Sequence, residues 1–455
     1  MELPFLFLWM AITLLLLLQE STALSSATYA HGAAATAATV PGQRRLVENG
    51  YDYDSDTAIR YHHNHHHDSP QLLFQLLSWN VLAPVYAPPW RHPWSLPEHL
   101  DWTFRKQRIV DTLFAACAPP SLLPDIICLQ EVQVDLWESD LKPALQARAA
   151  QQRTGRQRQS TGYHSSSYRY LEQLQGNNSI NSDDEDDDPY WYLLQKVKKK
   201  PIANAILVRK EFATCLAVES RSRAVIAVLE LNNNRDNDND NVNNPQRFIV
   251  ANVHLQAGMG AHHQMQRFYQ INSLMKRIRK FVRQYSPKGE SSSLPVIIVG
   301  DFNMSPDTPL YHLLQNGYLP PEQYNDSAAR VSTSSRDQLT PENLQELAES
   351  SLISHLPLQD AYRDCEPPQG KQASTYTSGD VIDYLWTTVT TTTDESAHGS
   401  DEIPQTRLAI HETWQAHPDG SLDAAGMFCK GRRYPNDENP SDHLPIGAMI
   451  EMVSL

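Results

Sequence analysis

Short strings along the chain set acid, amide or imidazole side chains at the ends of apolar runs. Asn80 follows "LLFQLLSW", Glu131 sits in "PDIICLQEV" and His254 closes "RFIVANVH". Asp301 and Asn303 follow "VIIVG", Asp383 lies in "VIDYLW", and Asp442 and His443 occupy "NPSDHLPI". Polar groups at the ends of buried strands are costly unless they are paired or used. Carboxylates and amide oxygens are hard ligands that suit Mg2+ or Mn2+, and no cysteine pair or dense histidine cluster is placed to hold zinc. An ion of that kind neutralises a phosphate oxygen and the leaving oxyanion. A carboxylate in line takes a proton from water, and an imidazole held by a second carboxylate serves the phosphate or the transition state. Asp383 and His443 are candidates for that carboxylate–imidazole pair. The chemistry that this set suggests is phosphoester hydrolysis.

Each string alone has a plainer reading. "GDFN" by itself is a turn, Glu131 a first-turn helix acid, His254 a core histidine, and Asp442 an Asx-type turn residue. Their joint appearance on successive strand ends outweighs those readings. Gly300, ahead of the Asp301 and Asn303 pair, is expected to leave room for the close approach of substrate or metal.

The elements that must position these groups alternate irregularly. Helical spacing marks "LDWTFRKQRIVDTLFAAC", "DLWESDLKPALQARAA" and "QRFYQINSLMKRIRKFVRQY", the first and last with basic faces. Another helix is expected to start in "SPDTPLYHLL", with Ser305 as N-cap and Pro306 at its first position. The polar stretches 151–162, 176–189 and 232–245 bury no core and are expected as surface loops, the last at the tip of a hairpin. Strands and helices mixed in this way suggest one α/β domain over 72–455, with sheets buried between helices.

Of 455 residues, 40% are hydrophobic, which is enough for a substantial core. The formal net charge of -15 argues against wrapping duplex nucleic acid on a basic surface, although "DDEDDD" (183–188) concentrates part of it. The basic segments "KVKKK" (196–200) and "KRIRKFVR" (276–283) are available to phosphates, or serve as solvated faces. The apolar run 3–18, followed by small residues, reads as a signal peptide within 1–30. Left uncleaved, it would be a single membrane anchor. Either way the expected route is the secretory pathway or the exterior, with an organelle reached through a signal-like presequence as the competing destination. Residues 31–71, with a histidine run, read as a disordered linker. Cys117, Cys128, Cys215, Cys365 and Cys429 are odd in number and widely spaced, so no disulfide scaffold is indicated. Asn177 and Asn325 stand in glycosylation sequons. Nothing in the composition speaks to oligomeric state.

The ordered series "LSWNVLAP", "LQEV", "NAILVRK", "NVHL", "VGDFN", "DYLW" and "SDHLPI" resembles the endonuclease/exonuclease/phosphatase superfamily. Within it, "WNVLAPVYA", "DWTFRKQRIVDTL", "PDIICLQEV", "GDFNMSPDTPLYHLL" and "PSDHLPI" are similar to the carbon-catabolite-repressor type deadenylases and their nocturnin and angel relatives. One segment departs: "PIANAILVRK" stands where the deadenylases carry Gly-x-Ala-Ile-Phe-Tyr-Lys. The resemblance implies a four-layer α/β sandwich, two central mixed β-sheets flanked by helices, with the site at one edge. It implies Glu131 as principal magnesium ligand with Asn80 beside it, and Asp442 supporting the metal side. Asp301 corresponds to the residue that activates water, Asn303 to the phosphate-orienting amide, and His254 to the phosphate-contacting histidine. Asp383 and His443 correspond to the carboxylate–imidazole pair. The activity implied is divalent-metal-dependent (Mg2+ or Mn2+) cleavage of a phosphodiester, often from the 3′ end of RNA. The competing expectation is a secreted or organellar phosphoesterase acting on a nucleotide, lipid or inositol phosphate.

Overall fold

Strands buried on both faces read as near-continuous apolar runs, whereas a half-exposed strand alternates. The runs that end in the candidate residues are of the first kind, and they form the centres of two sheets. The computed structural model describes residues 72–115, 123–160, 188–232, 246–258, 260–286, 294–319, 349, 358–363, 375–378, 380–388, 406–415, 434–437 and 439–454. The leader and linker (1–71), the stretches 161–187 and 233–245, and both sequons lie outside the described residues.

One six-stranded sheet contains β1 (Leu72–Asn80), β2 (Ile126–Gln133), β3 (Tyr190–Leu194), β4 (Ile202–Arg209), β11 (Thr406–Gln415) and β12 (Ile446–Ser454), in the order β11-β12-β1-β2-β4-β3. The other contains β5 (Ala213–Ser220), β6 (Ala224–Leu231), β7 (Arg247–His254), β8 (Val296–Asp301), β9 (Leu358–Asp360) and β10 (Asp383–Thr388), in the order β5-β6-β7-β8-β10-β9. Both sheets are mixed, because β1–β2 and β7–β8 are parallel and the remaining pairs antiparallel.

Successive side chains on a strand point to opposite faces, and the core divides accordingly. Phe74, Leu76, Ile126 and Cys128 of the first sheet meet Val225, Phe248, Val250, Ile297 and Val299 of the second, in the layer between the sheets. The other face of the first sheet, with Leu77, Trp79, Ile127 and Leu129, packs on Ile109, Val110 and Leu113 of α1 (Trp102–Ala115) and on Leu145 and Ala149 of α2 (Lys142–Ser160). The other face of the second, with Ile249, Ala251, Val296 and Ile298, packs on Phe268, Ile271, Met275 and Ile278 of α3 (Ala261–Tyr285) and on Leu310 and Leu313 of α4 (Pro309–Asn316). Helices, sheet, sheet, helices: this is the four-layer arrangement that the resemblance implies.

Two local expectations fail. The polar stretch expected as loop from 151 continues α2 as far as Ser160. Its Gln and Arg residues are good helix formers, and low hydrophobicity does not stop a helix that is already nucleated. α4 begins at Pro309 behind Thr308, not at Pro306 behind Ser305. Ser305 instead offers its carbonyl to the Thr308 N–H (3.1 Å) and hydroxyl (2.8 Å), which closes a turn ahead of the helix. The hairpin expectation for β6 and β7 agrees with their antiparallel pairing around 233–245. Cys128 and Cys215 are free, and the other cysteines lie outside the described residues.

Candidate active site

Register brings the candidate residues to one edge of both sheets. In the first sheet Asn80 ends β1 beside Gln130 of parallel β2. In the second, His254 ends β7 opposite Asp301 at the end of β8, and Asp383 begins antiparallel β10 opposite the same Asp301. Asp383 thus starts its strand where the others finish, and antiparallel pairing returns it to the same edge.

Glu131 does not end its strand. It sits inside β2, where the pairing with β4 slips between Leu129 and Val132, and its backbone adopts φ 57°. A bulge of this kind turns an extra side chain out of the alternation. Here it directs Glu131 beside Asn80, with the Ala83 N–H donating to Glu131 Oε2 at 3.2 Å.

Asp301 lies at the centre. Its Oδ2 accepts from Asn80 Nδ2 at 3.0 Å, and its Oδ1 accepts from the Asn303 backbone N–H at 2.8 Å. His254 Nε2 stands 3.5 Å from Asp301 Oδ2 and 3.7 Å from Glu131 Oε1. His443 bonds Asp383 Oδ2 through Nδ1 at 2.9 Å and turns Nε2 toward Asp301 Oδ2 at 3.8 Å. Tyr376 bridges to His443 along the backbone and places its ring 4.7 Å from the imidazole. Asn303 has φ 50° and donates Nδ2 to the Leu255 carbonyl at 3.2 Å. All the candidate residues are therefore brought together, Asn303 at the rim.

Burial dominates the electrostatics. It pushes Glu131 up to about 7, with Asp442 adding to the shift, and pushes Asp301 up to about 7, with Asp383 adding to it. Burial alone would lower His443, but Asp383, Asp301 and Asp442 reverse that and raise it to about 10. Burial, then Arg223 and His443, hold His254 down to about 3, so it is a neutral imidazole. The Oδ1 atom of buried Asp442 has no hydrogen-bond partner among the described residues.

This donor set fits a divalent cation. The raised carboxyls of Glu131 and Asp301, together with an orphaned carboxylate oxygen, are relieved by a positive ion with hard-oxygen preference. Asp301, Asp383 and His443 also offer ligand atoms that all lie within 4.8 Å of one another. Asp383 occupies His443 Nδ1, so the same trio can also serve as a carboxylate–imidazole pair, and Glu131, Asn80 and Asp442 offer further oxygen ligands that could hold an ion.

Two features were not foreseen in the sequence. Arg105, expected only as part of a basic helix face, is fully buried. It donates Nε to the Pro440 carbonyl (2.6 Å) and Nη2 to the carbonyls of Val81 (2.7 Å) and Leu82, tying together the loops that carry Asn80 and Asp442. Burial lowers it to about 10, against the attraction of Asp442 and Glu131, so it remains charged at neutral pH. A sequence cannot separate one arginine of an amphipathic helix from its exposed neighbours. The second feature corrects an expectation. Gly300 has φ 135°, and a Cβ there would stand 2.1 Å from the Val253 carbonyl oxygen. Its lack of a side chain makes room for the neighbouring strand, not for substrate or metal.

Comparison with known proteins identifies the family and the fold. The chain is 27% identical over 266 residues to 2′,5′-phosphodiesterase 12 of Rattus norvegicus, covering 56% of this chain and 37% of that protein. It is 26% identical over 291 residues to the CCR4-Not complex 3′-5′-exoribonuclease subunit Ccr4 of Mycosarcoma maydis, again covering 56% of this chain and 37% of that protein. The chain thus spans little more than a third of these curated relatives. In fold it is similar to ANGEL2, a 2′,3′-cyclic phosphatase, with a TM-score of 0.54 at 20% identity, covering 84% of this chain and 96% of that one. The endonuclease/exonuclease/phosphatase family profile matches residues 77–443, a span that takes in every candidate residue from Asn80 to His443. With paired mixed sheets delivering acid, amide and imidazole groups to one edge, the chain belongs to the endonuclease/exonuclease/phosphatase family.

Proposed function

We propose that the chain is a divalent-metal-dependent phosphodiester hydrolase that acts on RNA as a 3′-to-5′ exoribonuclease of the deadenylase kind. The observation that carries this reading is the convergence of Glu131, His254, Asp301, Asp383 and His443 from two sheets onto one edge. Asp301 is the base. Its carboxyl, raised to about 7 by burial, has a basicity matched to taking a proton from water near neutrality. Asn80 and the Asn303 N–H fix the orientation of that carboxylate. His443, held protonated by Asp383, presents Nε2 to negative charge developing on the phosphoryl oxygens. Neutral His254 donates a hydrogen bond to the phosphate without adding charge, and the Asn303 side chain orients the same group. Glu131, with Asn80 and Asp442, would hold Mg2+ or Mn2+, which when bound supplies charge neutralisation at the phosphate and leaving oxygen.

RNA as substrate is supported by the deadenylase-type strings and by the names of the relatives. Lys276, Arg279, Lys280 and Arg283 of α3 add a concavity lined by cations, a favourable surface for a phosphate backbone. The run 3–18 supports entry into the secretory pathway or an organelle, which sequencing of the mature N-terminus would test.

The test is a panel of oligo(A), mixed-sequence RNA, dinucleotides, phospholipid headgroups and inositol phosphates, assayed with Mg2+ and with chelator. The expected result is stepwise, metal-dependent shortening of oligo(A) from its 3′ end. Turnover of a non-nucleic ester with none on RNA would overturn the RNA reading in favour of a lipid or inositol phosphoesterase.

A further inference from the structure

Two cations beside the candidate site have no role in the chemistry above. Arg223 ends the turn that leads into β6, and its carbonyl accepts from the His254 N–H at 2.9 Å. That contact fixes its backbone against the strand end that carries the imidazole. Its guanidinium donates Nη2 to Gln256 Oε1, a neutral partner. Lys200 lies in the loop before β4 and donates Nζ to the Ser222 carbonyl at 3.2 Å, also neutral. Among the described residues neither forms an ion pair, although Arg223 is near enough to feel Asp301 and Glu131.

The support beneath Arg223 is specific. Gln256 takes a hydrogen bond at its backbone carbonyl from buried Arg267 (2.7 Å), which also binds the Gly258 carbonyl (2.8 Å). The Gln256 N–H donates to Gln270 of α3 at 2.9 Å. A second arginine is thus spent on holding the loop that orients the first. Burial and then the like charge of Arg223 push Lys200 below its usual value, and both cations oppose protonation of His254. Two positive groups held near one another on neutral partners make an arrangement that a bound anion relieves.

We propose that Arg223 and Lys200 form a subsite for a second phosphate, the one joined through a single sugar to the phosphate being cut. The subsite rests on the phosphodiesterase reading and sharpens it. A chain of nucleotides places a phosphate on the next sugar, whereas a simple diester has nothing to offer there. Arg223 meets that phosphate with a planar fork of donors, and Lys200 adds a point charge from the exposed side.

Binding separates this proposal from the activity. In titration calorimetry with Mg2+, the wild type should bind adenosine 3′,5′-bisphosphate about tenfold or more tightly than AMP, the scale of one or two charge-assisted contacts. Arg223→Gln should lose most of that preference, Lys200→Ala part of it, and Arg223→Lys should retain some. Lys200 is exposed, so Lys200→Ala keeps the test available if Arg223→Gln does not fold. Equal affinity of the wild type for the two ligands would overturn the subsite, as would a full preference in the double variant. Hydrolysis of bis(p-nitrophenyl) phosphate, a diester with no second phosphate, reports on the phosphodiesterase reading independently. Discrimination in binding without hydrolysis would sustain the subsite and refute that reading.

Discussion

Strands β1, β2 and β7 each carry two kinds of polar residue in immediate succession, and the two kinds meet different fates. Ser78, Gln130 and Asn252 come one or two residues before Asn80, Glu131 and His254. The first group forms a neutral network between the sheets. Gln130 Nε2 donates to Asn252 Oδ1 (2.8 Å) and Ser78 Oγ (3.0 Å), while Asn252 Nδ2 donates to the carbonyls of Leu129 and Ala205, both at 2.8 Å. The second group meets Asp301, Asp383, Asp442 and His443 at the sheet edge, where burial and neighbouring carboxylates raise Glu131 and Asp301, and Asp442 Oδ1 has no hydrogen-bond partner among the described residues. Both groups lie largely out of solvent, Glu131 less completely than the rest. Amides can bond one another directly, although Gln130 Oε1 has no partner among the described residues, whereas clustered carboxylates need a proton or a cation. The first arrangement specifies the fold, and the second is poised for a ligand.

Each prediction breaks one side of that contrast. The largest effect is expected on activity alone. His443→Ala should reduce kcat by about a thousandfold or more, while thermal unfolding changes little relative to that loss. A folded variant with wild-type kcat would remove His443 from the mechanism. On the structural side, Gly300→Ala should be the most costly. A Cβ meets the Val253 carbonyl at 2.1 Å and the φ of 135° suits only glycine, so we expect about 3 kcal/mol or more in denaturant unfolding. An unchanged midpoint would contradict that packing. Asn252→Ala should cost roughly 2–3 kcal/mol, by removing the donors to the Leu129 and Ala205 carbonyls and one acceptor of the Gln130 amide, and should spare the chemistry of correctly folded molecules.

The smallest effect is a dependence on pH. Glu131 and Asp301 have raised values in the folded protein, about 7 against ordinary values of 4.5 and 3.8. Their protonation therefore stabilises the metal-stripped fold fully below about pH 4, and that contribution is lost as pH rises through about 7. In chelator the Tm should fall across that window. Added Mg2+ should raise Tm by a few degrees, roughly, at pH 8 and by less at pH 5. A gain independent of pH would place the ion elsewhere.

The sequence makes the second network more legible than the first. A carboxylate or imidazole after an unbroken apolar run is conspicuous, because burial without use is expensive, and Asp301, His254 and Asp383 stand where that reasoning locates them. Glu131 was visible as a residue, but its bulge was not, since pairing with β4 decides where β2 slips. The amides of Gln130 and Asn252 pass unnoticed, because their partners lie on strands far away in the chain. Gly300 was misassigned for the same reason: its neighbour Val253 is contributed by β7. Arg105 needed the tertiary fold to distinguish it from Lys106 and Arg108. The errors at 151–160 and at Ser305 concern helix ends, where propensity and capping compete locally.

The central claim is that Asp301 takes the proton from water at a metal-assisted phosphodiester site. The most direct measurement is kcat on a short oligo(A) with Mg2+ for wild type and Asp301→Asn, near neutral pH, with the fold of both checked by circular dichroism. Asn preserves the shape of Asp301 and one acceptor oxygen but cannot accept the proton. The account predicts metal-dependent turnover by the wild type and a loss of about a thousandfold or more in the variant. Turnover by a folded Asp301→Asn protein at the wild-type rate would contradict it.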